Sequence, residues 1–203
     1  MEKTITMTGY RIYEYLLVLP PPEELRTRIM DVKKEFAERY KATGASSTKP
    51  QITLAGFSAL SMMEEKIVHR LQVIAMGVRP FKVELRNYGS FPTHSIFINV
   101  VSKLPVQGLV RQLKEAQRLL KLNNENKPHF IDEPHLAICR KLKPWQYEQG
   151  WLEYAQRQFT GRFIADGMLL LKREAGTKTG LQVVRRFEFL DLPVTTRQGS
   201  LFL

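Results

Sequence analysis

The sequence predicts an α+β fold of two similar halves, with two antiparallel sheets facing a central cleft and helices on the outside. The chain has 203 residues, of which 43% are hydrophobic and 25% charged. This composition is globular, and the length suffices for a sizeable core. One order of segments also occurs twice, beginning at Gln51 and at His135: a strand, a helix, a strand, a turn and a strand. Such an internal duplication strongly constrains the fold.

The first copy is preceded by a strand and a helix. The segment YEYLLVLP, residues 13–20, predicts the strand. The prolines that end it and the two glutamates that follow predict the start of a helix over residues 22–40. Its apolar stripe is formed by Leu25, Ile29, Val32 and Phe36.

The first copy itself begins with the strand QITLAGF, residues 51–57. Ser61 and Glu64 have the spacing of a capping box, which predicts a second helix ending near Gly77. The segments FKVELRNYGSF and HSIFINVV predict two strands joined by a turn. A third helix is predicted over residues 106–121, with a basic outer face.

The second copy begins with the strand PHLAICRKL, followed by an aromatic helix over residues 144–159. The segment RFIADGMLLLKRE then predicts one strand, and LQVVRRFEFL predicts the last. We therefore predict a single domain over residues 1–203 with two pseudo-symmetric lobes. Residues 41–105 and 124–192, approximately, carry the motif strands, while residues 12–40 and 106–123 supply a strand and helices packed on them.

Composition narrows the compartment and the partners. The single cysteine, Cys139, excludes an internal disulfide and a cysteine-based zinc cage, as expected in a reducing compartment. The opening segment has only a short apolar run ended by prolines, which predicts neither a signal peptide nor a membrane span. We therefore expect a cytoplasmic protein. The net charge of +11 favours partners that carry phosphate groups, with salt-sensitive binding.

Alternate residues of a strand share a face, so each motif strand presents a polar side. Gln51, Thr53 and Ala55 should point one way, and His135 and Cys139 should share a face likewise. If the strands flank a cleft, an imidazole and a hydroxyl can converge on one phosphate. Cleaving a phosphodiester requires a base for the incoming oxygen and an acid for the leaving oxygen, and histidine can serve as either.

These features resemble the two-histidine (2H) phosphoesterase superfamily, in particular its 2′-5′ RNA ligase-like, or cyclic phosphodiesterase, branch. Members of that branch carry two His-x-Thr motifs in a duplicated bilobal fold. The resemblance covers nearly all of residues 12–192, through YLLVLPPPEEL, both motif strands and KVELRNYGSF. It implies hydrolysis or ligation at 2′,3′-cyclic phosphates or 2′-5′ linkages of RNA or nucleotides, without a metal or other cofactor.

The resemblance carries over to only part of the two motifs. His135 matches the second catalytic histidine, and Thr53 matches the first phosphate-binding hydroxyl. Gln51 stands where the first histidine is expected, and Ala137 where the second hydroxyl is expected. Losing an acid or base costs roughly a hundred- to ten-thousand-fold in rate, whereas losing one hydroxyl costs about 1 kcal/mol of binding. Binding should therefore survive better than catalysis.

Three further residues are candidate ligand contacts, each with a simpler alternative. His94 begins a strand and can reach the cleft as a replacement histidine, although such a residue is more often on the surface. Tyr88 and Phe97 can stack on a base, as can Phe91, although aromatic strand residues are more often core.

Two other arrangements have less support. His129, Asp132, Glu133 and His135 lie close in sequence but match no standard zinc spacing, so no metal is predicted. A Cys139–His135 dyad would span about 13 Å of strand, beyond hydrogen-bond reach. His69, on the second helix, is interpreted as a partly buried spacer.

Three classes of function remain open at this point. The first is an attenuated cyclic phosphodiesterase or RNA ligase that acts through His135. The second is an inactive pseudoenzyme that binds a nucleotide, or RNA with a cyclic or terminal phosphate, as a regulatory module. The third is a protein-interaction scaffold. The sequence also leaves open the role of the tail TTRQGSLFL.

Overall fold

The computed structural model describes residues 10–177 and 179–193. The tail TTRQGSLFL lies outside the described residues. Within them are four α-helices: α1 (Glu23–Arg39), α2 (Glu64–Met76), α3 (Lys103–Leu113) and α4 (Pro144–Tyr154). There are also nine strands: β1 (Ile12–Leu19), β2 (Ile52–Leu60), β3 (Phe81–Phe91), β4 (Ser95–Val100), β5 (His129–Phe130), β6 (His135–Arg140), β7 (Thr160–Ala165), β8 (Gly167–Glu174) and β9 (Gln182–Glu188).

The α+β class is confirmed, and most predicted elements lie where their periodicity placed them. Two helices differ in extent from the prediction. α3 begins three residues earlier, at Lys103, and ends at Leu113, where a 3-10 turn follows. α4 ends at Tyr154, because the buried Phe159 belongs to the approach to β7, where its carbonyl accepts a hydrogen bond from the backbone N–H of Asn87.

All nine strands pair antiparallel in the order β7-β3-β4-β6-β2-β1-β8-β9, with β5 paired to β2. The two motif strands, β2 and β6, are therefore neighbours at the centre. They are joined by one residue pair, Ile52 with Leu136. The two predicted sheets are thus two halves of one hydrogen-bonded sheet. We call β7-β3-β4-β6 half-sheet A and β2-β1-β8-β9 half-sheet B.

The two copies along the chain do not build one half-sheet each. The predicted single strand RFIADGMLLLKRE is divided at Asp166, so that β7 pairs with β3 in half-sheet A and β8 pairs with β1 in half-sheet B. That strand prediction was wrong. A Cβ atom on Gly167 would lie 2.5 Å from the Phe187 carbonyl oxygen, so β8 can enter half-sheet B only through a glycine. Residues 41–105 and 124–192 each supply strands to both half-sheets.

The helices cover one face of the sheet. α1 contacts β6 and α4 contacts β4, whereas α2 contacts β9 and α3 contacts β2 and β3. The side chains between these layers form one buried apolar cluster that includes Ile52, Leu136 and Ile98. The opposite face carries Thr53 and His135, and we call it the motif face. No helix in the described part of the chain is long and apolar enough to cross a bilayer.

Candidate functional site

The register of β2 and β6 sets the geometry of the two motifs. Ile52 and Leu136, the middle residues of the motifs, are paired across antiparallel strands. The same register places Thr53 opposite His135, and Gln51 opposite Ala137. Directly opposed residues have Cβ atoms about 4.5–5.5 Å apart on one face of a sheet. We call Thr53 and His135 the intact pair, and Gln51 and Ala137 the degenerate pair.

A β-bulge in β2, immediately after the motif, changes which side chains point to which face of the sheet. Thr53 is paired with Val18, but Ala55 is paired with the next residue back, Leu17, which leaves Leu54 as the extra residue. Since Val18 and Leu17 point to opposite faces, so do Thr53 and Ala55. The expectation that Ala55 shares a face with Thr53 was wrong, and Ala55 is fully buried in the core.

The strand β6 has a bulge at the same place in its motif. Ala137 is paired with Phe97, and Cys139 with Ile96, which leaves Ile138 as the extra residue. Cys139 therefore faces the core and does not share the face of His135, contrary to the sequence expectation. Its buried position raises the pKa of the thiol above the ordinary value.

His135 is held in one tautomer. Its Nδ1 lies 2.8 Å from the carbonyl oxygen of Glu133, and because a carbonyl only accepts, Nδ1 carries the hydrogen. Burial lowers the pKa of the imidazole; the bond to Glu133 opposes this effect, and the charge of Arg140 adds to it. The ring is therefore biased toward the neutral form, in which Nε2 can accept a proton.

The other polar groups of the two motifs have free hydrogen-bonding capacity. Thr53 is nearly buried, and Gln51 is half-buried. Within the described residues, neither the Thr53 hydroxyl nor the Gln51 amide has a side-chain hydrogen bond. The hydroxyl can donate to a phosphate oxygen, and the amide can donate or accept but cannot exchange a proton near neutral pH.

A buried lysine lies behind the degenerate pair. Lys33 of α1 is 2% exposed, and its Nζ donates to Thr48 Oγ1 at 3.0 Å and to the Ala137 carbonyl oxygen at 3.5 Å. Burial lowers the pKa of this ammonium to about 8, with Cys139 opposing the effect and Arg140 adding to it. No described carboxylate bonds to it. The ammonium connects the loop before Gln51 to the strand of Ala137.

Sequence reasoning missed two polar residues of the motif face. Asn99 on β4 lies directly opposite His135, so its amide shares the motif face. Arg140 lies beyond the β6 bulge, which turns it to the motif face opposite Ser95. Simple alternation from His135 would have sent Arg140 to the core. The signal available for Asn99 was its polar side chain within a predicted strand, because that strand pairs with a motif strand.

Of the candidate aromatic and histidine contacts, Phe97 and Phe91 lie against His135, whereas His94 does not. Phe97 lies on the motif face, with its ring 4.9 Å from the His135 ring, and the Phe91 ring is 5.1 Å from the same ring. A Cβ on Gly89, opposite Phe97, would lie 2.6 Å from the Phe97 ring, so glycine makes room for this cluster. His94 is exposed, with its ring 6.3 Å from Phe91 and not in contact with His135.

Tyr88 does not lie on the motif face. It is 9% exposed and packs against Tyr154 and Phe159 in the core. The cause is a register shift in β3 around Asn87, which has a φ of +54° and reverses the alternation of the following residues. Tyr88 is therefore removed from the candidate ligand contacts.

The acidic residues before β6 are engaged by lysines. Glu133 Oε2 lies 2.6 Å from Lys103 Nζ, and Asp132 Oδ1 lies 3.0 Å from Lys114 Nζ. No group of three or more histidine, cysteine, aspartate or glutamate side chains converges to hold a metal ion in residues 10–177 and 179–193. His69 is exposed on α2 and not partly buried as the sequence suggested.

Two surface cavities lie away from the motifs. One, of about 480 Å³, lies between the first turns of α1 and the edge formed by β3 and β7. The other, of about 680 Å³, lies between α2, α3 and the segment after β9. Neither is lined by a motif residue, so the strand geometry, rather than cavity size, defines the candidate site.

Comparison with known proteins agrees with this arrangement of paired motif strands. The sequence profile of the 2'-5' RNA ligase superfamily matches residues 21–177, more than three quarters of the chain and both motifs. The chain belongs to the 2′-5′ RNA ligase superfamily. No curated protein sequence matches the chain. Membership supports the 2H phosphoesterase resemblance.

Solved structures show the same fold at low sequence identity. Escherichia coli LigT in complex with 3′-AMP has a TM-score of 0.64 and 14% identity, with 88% of this chain and 98% of that chain covered. LigT in complex with NADP+ has a TM-score of 0.60 and 14% identity, covering 89% and 98%. The Thermus thermophilus protein TT0787 has a TM-score of 0.60 and 17% identity, covering 87% and 98%. Each likeness shows that this chain shares the fold of LigT and TT0787 over nearly its whole length.

Proposed function

We propose that this protein is a 2H phosphoesterase-like protein that binds a nucleotide or an RNA-end phosphate between Thr53 and His135. The observation that carries the proposal is the antiparallel pairing of Ile52 with Leu136, because its register places these two residues opposite each other across β2 and β6. A threonine hydroxyl donates to one non-bridging oxygen, while the imidazole contacts the atom that gains or loses a proton. Each comes from a different half-sheet, so a phosphate between them is held from two sides.

The ligands of solved relatives support a phosphate as the bound group. LigT has been crystallised with 3′-AMP, with NADP+, with ATP and with phosphate. All of these ligands carry phosphate, but they differ in the rest of the molecule. We therefore assign phosphate recognition to the motif face and leave the base unspecified.

The chemistry available to the site is base catalysis without a matched acid. Neutral His135 takes a proton at Nε2 from a water, whose oxygen then attacks the phosphorus of a 2′,3′-cyclic phosphate. The bond from phosphorus to one ribose oxygen breaks, and that oxygen takes its proton from solvent, because Gln51 has none to give. The imidazolium of His135 then releases its proton to solvent. Arg140, which lies on the motif face opposite Ser95, is the cation that we assign to stabilise the additional negative charge. We expect an attenuated phosphodiesterase.

A second candidate is an inactive nucleotide- or RNA-binding regulatory module. The degenerate pair favours it, because Gln51 carries no titratable group and Ala137 carries no hydroxyl. The single buried Cys139 agrees with a reducing compartment, and both candidates are proposed to act in the cytoplasm.

The deciding experiment measures binding and conversion of a 2′,3′-cyclic nucleotide separately. Calorimetry gives the affinity, and phosphorus NMR follows ring opening over hours at high enzyme concentration. For the attenuated enzyme, His135→Ala should reduce the conversion rate by roughly a hundredfold or more, with a smaller change in affinity. Thr53→Val should weaken binding by about fivefold, equivalent to about 1 kcal/mol.

Two other outcomes are informative. Binding that needs Thr53, without conversion by the wild type, identifies the regulatory module. Conversion that is unchanged in His135→Ala, or no binding of any cyclic or terminal phosphate, overturns the proposed site. The Thr53→Val substitution conserves the shape of the side chain, so the variant should fold. Circular dichroism verifies that both variants remain folded.

A further inference from the structure

Lys33 is a buried cation that has no counter-ion among the described residues. Its ammonium bonds there to neutral groups, the Thr48 hydroxyl at 3.0 Å and the Ala137 carbonyl oxygen at 3.5 Å. Glu35, the next acidic residue along α1, is instead bonded twice to Arg157. Burying a charge without a counter-charge costs free energy, so stability alone gives no reason for a lysine at this position.

Arg140 is a second cation without an ion pair to a described residue. The bulge in β6 turns its exposed side chain to the motif face, opposite Ser95. On that face Arg140 follows Ala137, because Cys139 points to the core. The two cations therefore approach the degenerate pair from different sides, Lys33 from the core and Arg140 along the motif face.

The strands around these two cations carry no compensating charge. β2, β4 and β6 contain no aspartate or glutamate. Lysines at the other end of β6 differ, because Lys103 pairs with Glu133 and Lys114 pairs with Asp132. His135 is mostly neutral above pH 7, because burial lowers its pKa. The site therefore carries two positive charges that no described carboxylate neutralises.

The degenerate pair leaves room for an anion between the two cations. Successive side chains on one face of a strand lie about 6.6 Å apart, so a phosphate held by the intact pair extends toward Gln51 and Ala137. Ala137 is half-buried and offers only a methyl group there. The Gln51 amide can donate a hydrogen bond to a phosphate oxygen.

We propose that Lys33 and Arg140 make this site selective for a phosphate monoester with two negative charges over a cyclic phosphate or diester with one. The inference rests on the proposed function and adds the charge state of the ligand. A dianion neutralises both cations, whereas a monoanion leaves one of them uncompensated. Lys33 acts through its charge from behind the strand, and Arg140 acts from the open side. If the protein opens a cyclic phosphate, its product therefore binds more tightly than its substrate.

The test uses two nucleotides that differ by one charge and that form no cyclic phosphate. 2′-Deoxyadenosine 3′-phosphate carries two negative charges above pH 7, since the second pKa of a phosphate monoester is about 6. Its methyl ester carries one negative charge. Neither nucleotide has a 2′-hydroxyl, so binding is measured apart from chemistry. Calorimetry gives both affinities at pH 7.5.

The variants remove one cation at a time. Lys33→Met keeps a long side chain without its charge, and Lys34→Met, on the exposed side of α1, is its matched control. Arg140→Gln removes the second cation, and Arg111→Gln, exposed on α3, is the control for it. Circular dichroism verifies that each variant is folded.

The expected losses scale with the charge of the ligand. The wild type should bind the monoester about tenfold or more tightly than the methyl ester. Lys33→Met should weaken binding of the monoester about tenfold and of the methyl ester about threefold, because a Coulomb energy is proportional to the ligand charge. Arg140→Gln should show the same pattern with smaller losses, since exposed charges are screened. Both controls should change either affinity by less than about twofold.

The pH dependence of wild-type binding tests the same point without a variant. Burial lowers the pKa of Lys33 to about 8, with Cys139 opposing the effect and Arg140 adding to it. As pH rises through this value the free ammonium loses its proton, so monoester affinity should fall about five- to tenfold from pH 7 to pH 9.5. The Arg140 guanidinium stays charged over this range, and burial raises the pKa of the Cys139 thiol. Lys33→Met should show no such fall.

Other results overturn the inference in distinguishable ways. Equal wild-type affinity for the monoester and the methyl ester rejects the charge selectivity and leaves the proposed function intact. Equal losses for both ligands in Lys33→Met reduce the lysine to a structural role, and equal losses in Lys34→Met reduce the effect to net charge. If Lys33→Met does not fold, a wild-type monoester affinity that is flat from pH 7 to pH 9.5 rejects the role of Lys33. Binding of neither nucleotide rejects the inference together with the proposed function.

Discussion

The intact pair and the degenerate pair occupy neighbouring positions where the same two strands meet, but only the intact pair combines a hydroxyl with an imidazole. Each motif departs at one residue from the pattern that the resemblance implies, at Gln51 just before β2 and at Ala137 in β6, so the sequence suggests equal damage to both. The antiparallel register shows otherwise, because the two losses face one another across the strands. The residues that act together are therefore those that face each other across the two strands, and not those that belong to the same motif.

Restoring the first histidine should have the largest effect on this comparison. Gln51→His supplies a second titratable group next to Ala137, and we expect conversion of a 2′,3′-cyclic nucleotide to rise by about a hundred- to ten-thousand-fold. Gln51→Asn, which keeps an amide, is the control and should give no gain. A folded Gln51→His protein with no increase would mean that the degenerate pair has lost more than its acid.

The pH dependence should distinguish one-histidine from two-histidine chemistry. Because burial lowers the pKa of His135, the wild-type rate should rise as pH increases through a midpoint below 6.5 and then stay level. Below the midpoint it should fall about tenfold per pH unit, since only the neutral ring acts as a base. Gln51→His should add a descending limb at higher pH, because its histidine must be protonated. A bell-shaped wild-type profile would reveal a second titrating group.

The pH dependence of the free energy of unfolding tests whether Lys33 is a buried ammonium behind the degenerate pair. Its folded pKa of about 8 lies below the unfolded value of 10.5, so the unfolded state binds the proton more tightly. Stability should therefore rise with pH between these values, by about 2–3 kcal/mol from pH 7 to pH 10 relative to Lys33→Met. Denaturant unfolding at both pH values measures this difference. Lys34→Met, on the exposed side of α1, should show no such trend, and a flat difference for Lys33→Met would contradict a buried charged ammonium.

The smallest expected effect comes from restoring the hydroxyl. Ala137→Thr adds a donor opposite Gln51, and we expect phosphate or nucleotide affinity to increase by about fivefold, equivalent to about 1 kcal/mol. Ala137→Val has nearly the same shape without the hydroxyl and should give no increase. Calorimetric titration of both variants tests this point, and equal affinities would show that no phosphate oxygen reaches position 137.

Periodicity predicted most elements of the fold, because burial imposes it on the sequence. The stripe of Leu25, Ile29 and Phe36 became the buried side of α1, and Ile52 and Leu136 became the core side of the motif strands. The division at Asp166 was not predictable, since each side of it reads as strand. Which half-sheet each strand joins depends on contacts between distant segments.

The errors in the candidate site have one physical cause. Alternation assigned Ala55 and Cys139 to the motif face, and a register shift in each strand places them in the core. A register shift in β3 likewise places Tyr88, a candidate ligand contact, in the core. The extra residues in β2 and β6, Leu54 and Ile138, are ordinary core residues and give no local signal. Thr53 and His135 precede the bulges in their strands, so simple alternation gives the correct face for both. Phe97 lies on β4 beside them, opposite Ala137.

The single pair of Ile52 and Leu136 makes the junction of the two half-sheets the least paired place in the sheet. A ladder of several pairs would fix the angle between the two halves through backbone hydrogen bonds, whereas β2 and β6 share one pair, supplemented by the bonds of β5 to β2. The angle is then determined by side-chain packing in the helical layer and by Lys33, which joins the two sides next to that pair. We therefore expect the width of the phosphate site to respond to substitutions in the core, far from any ligand.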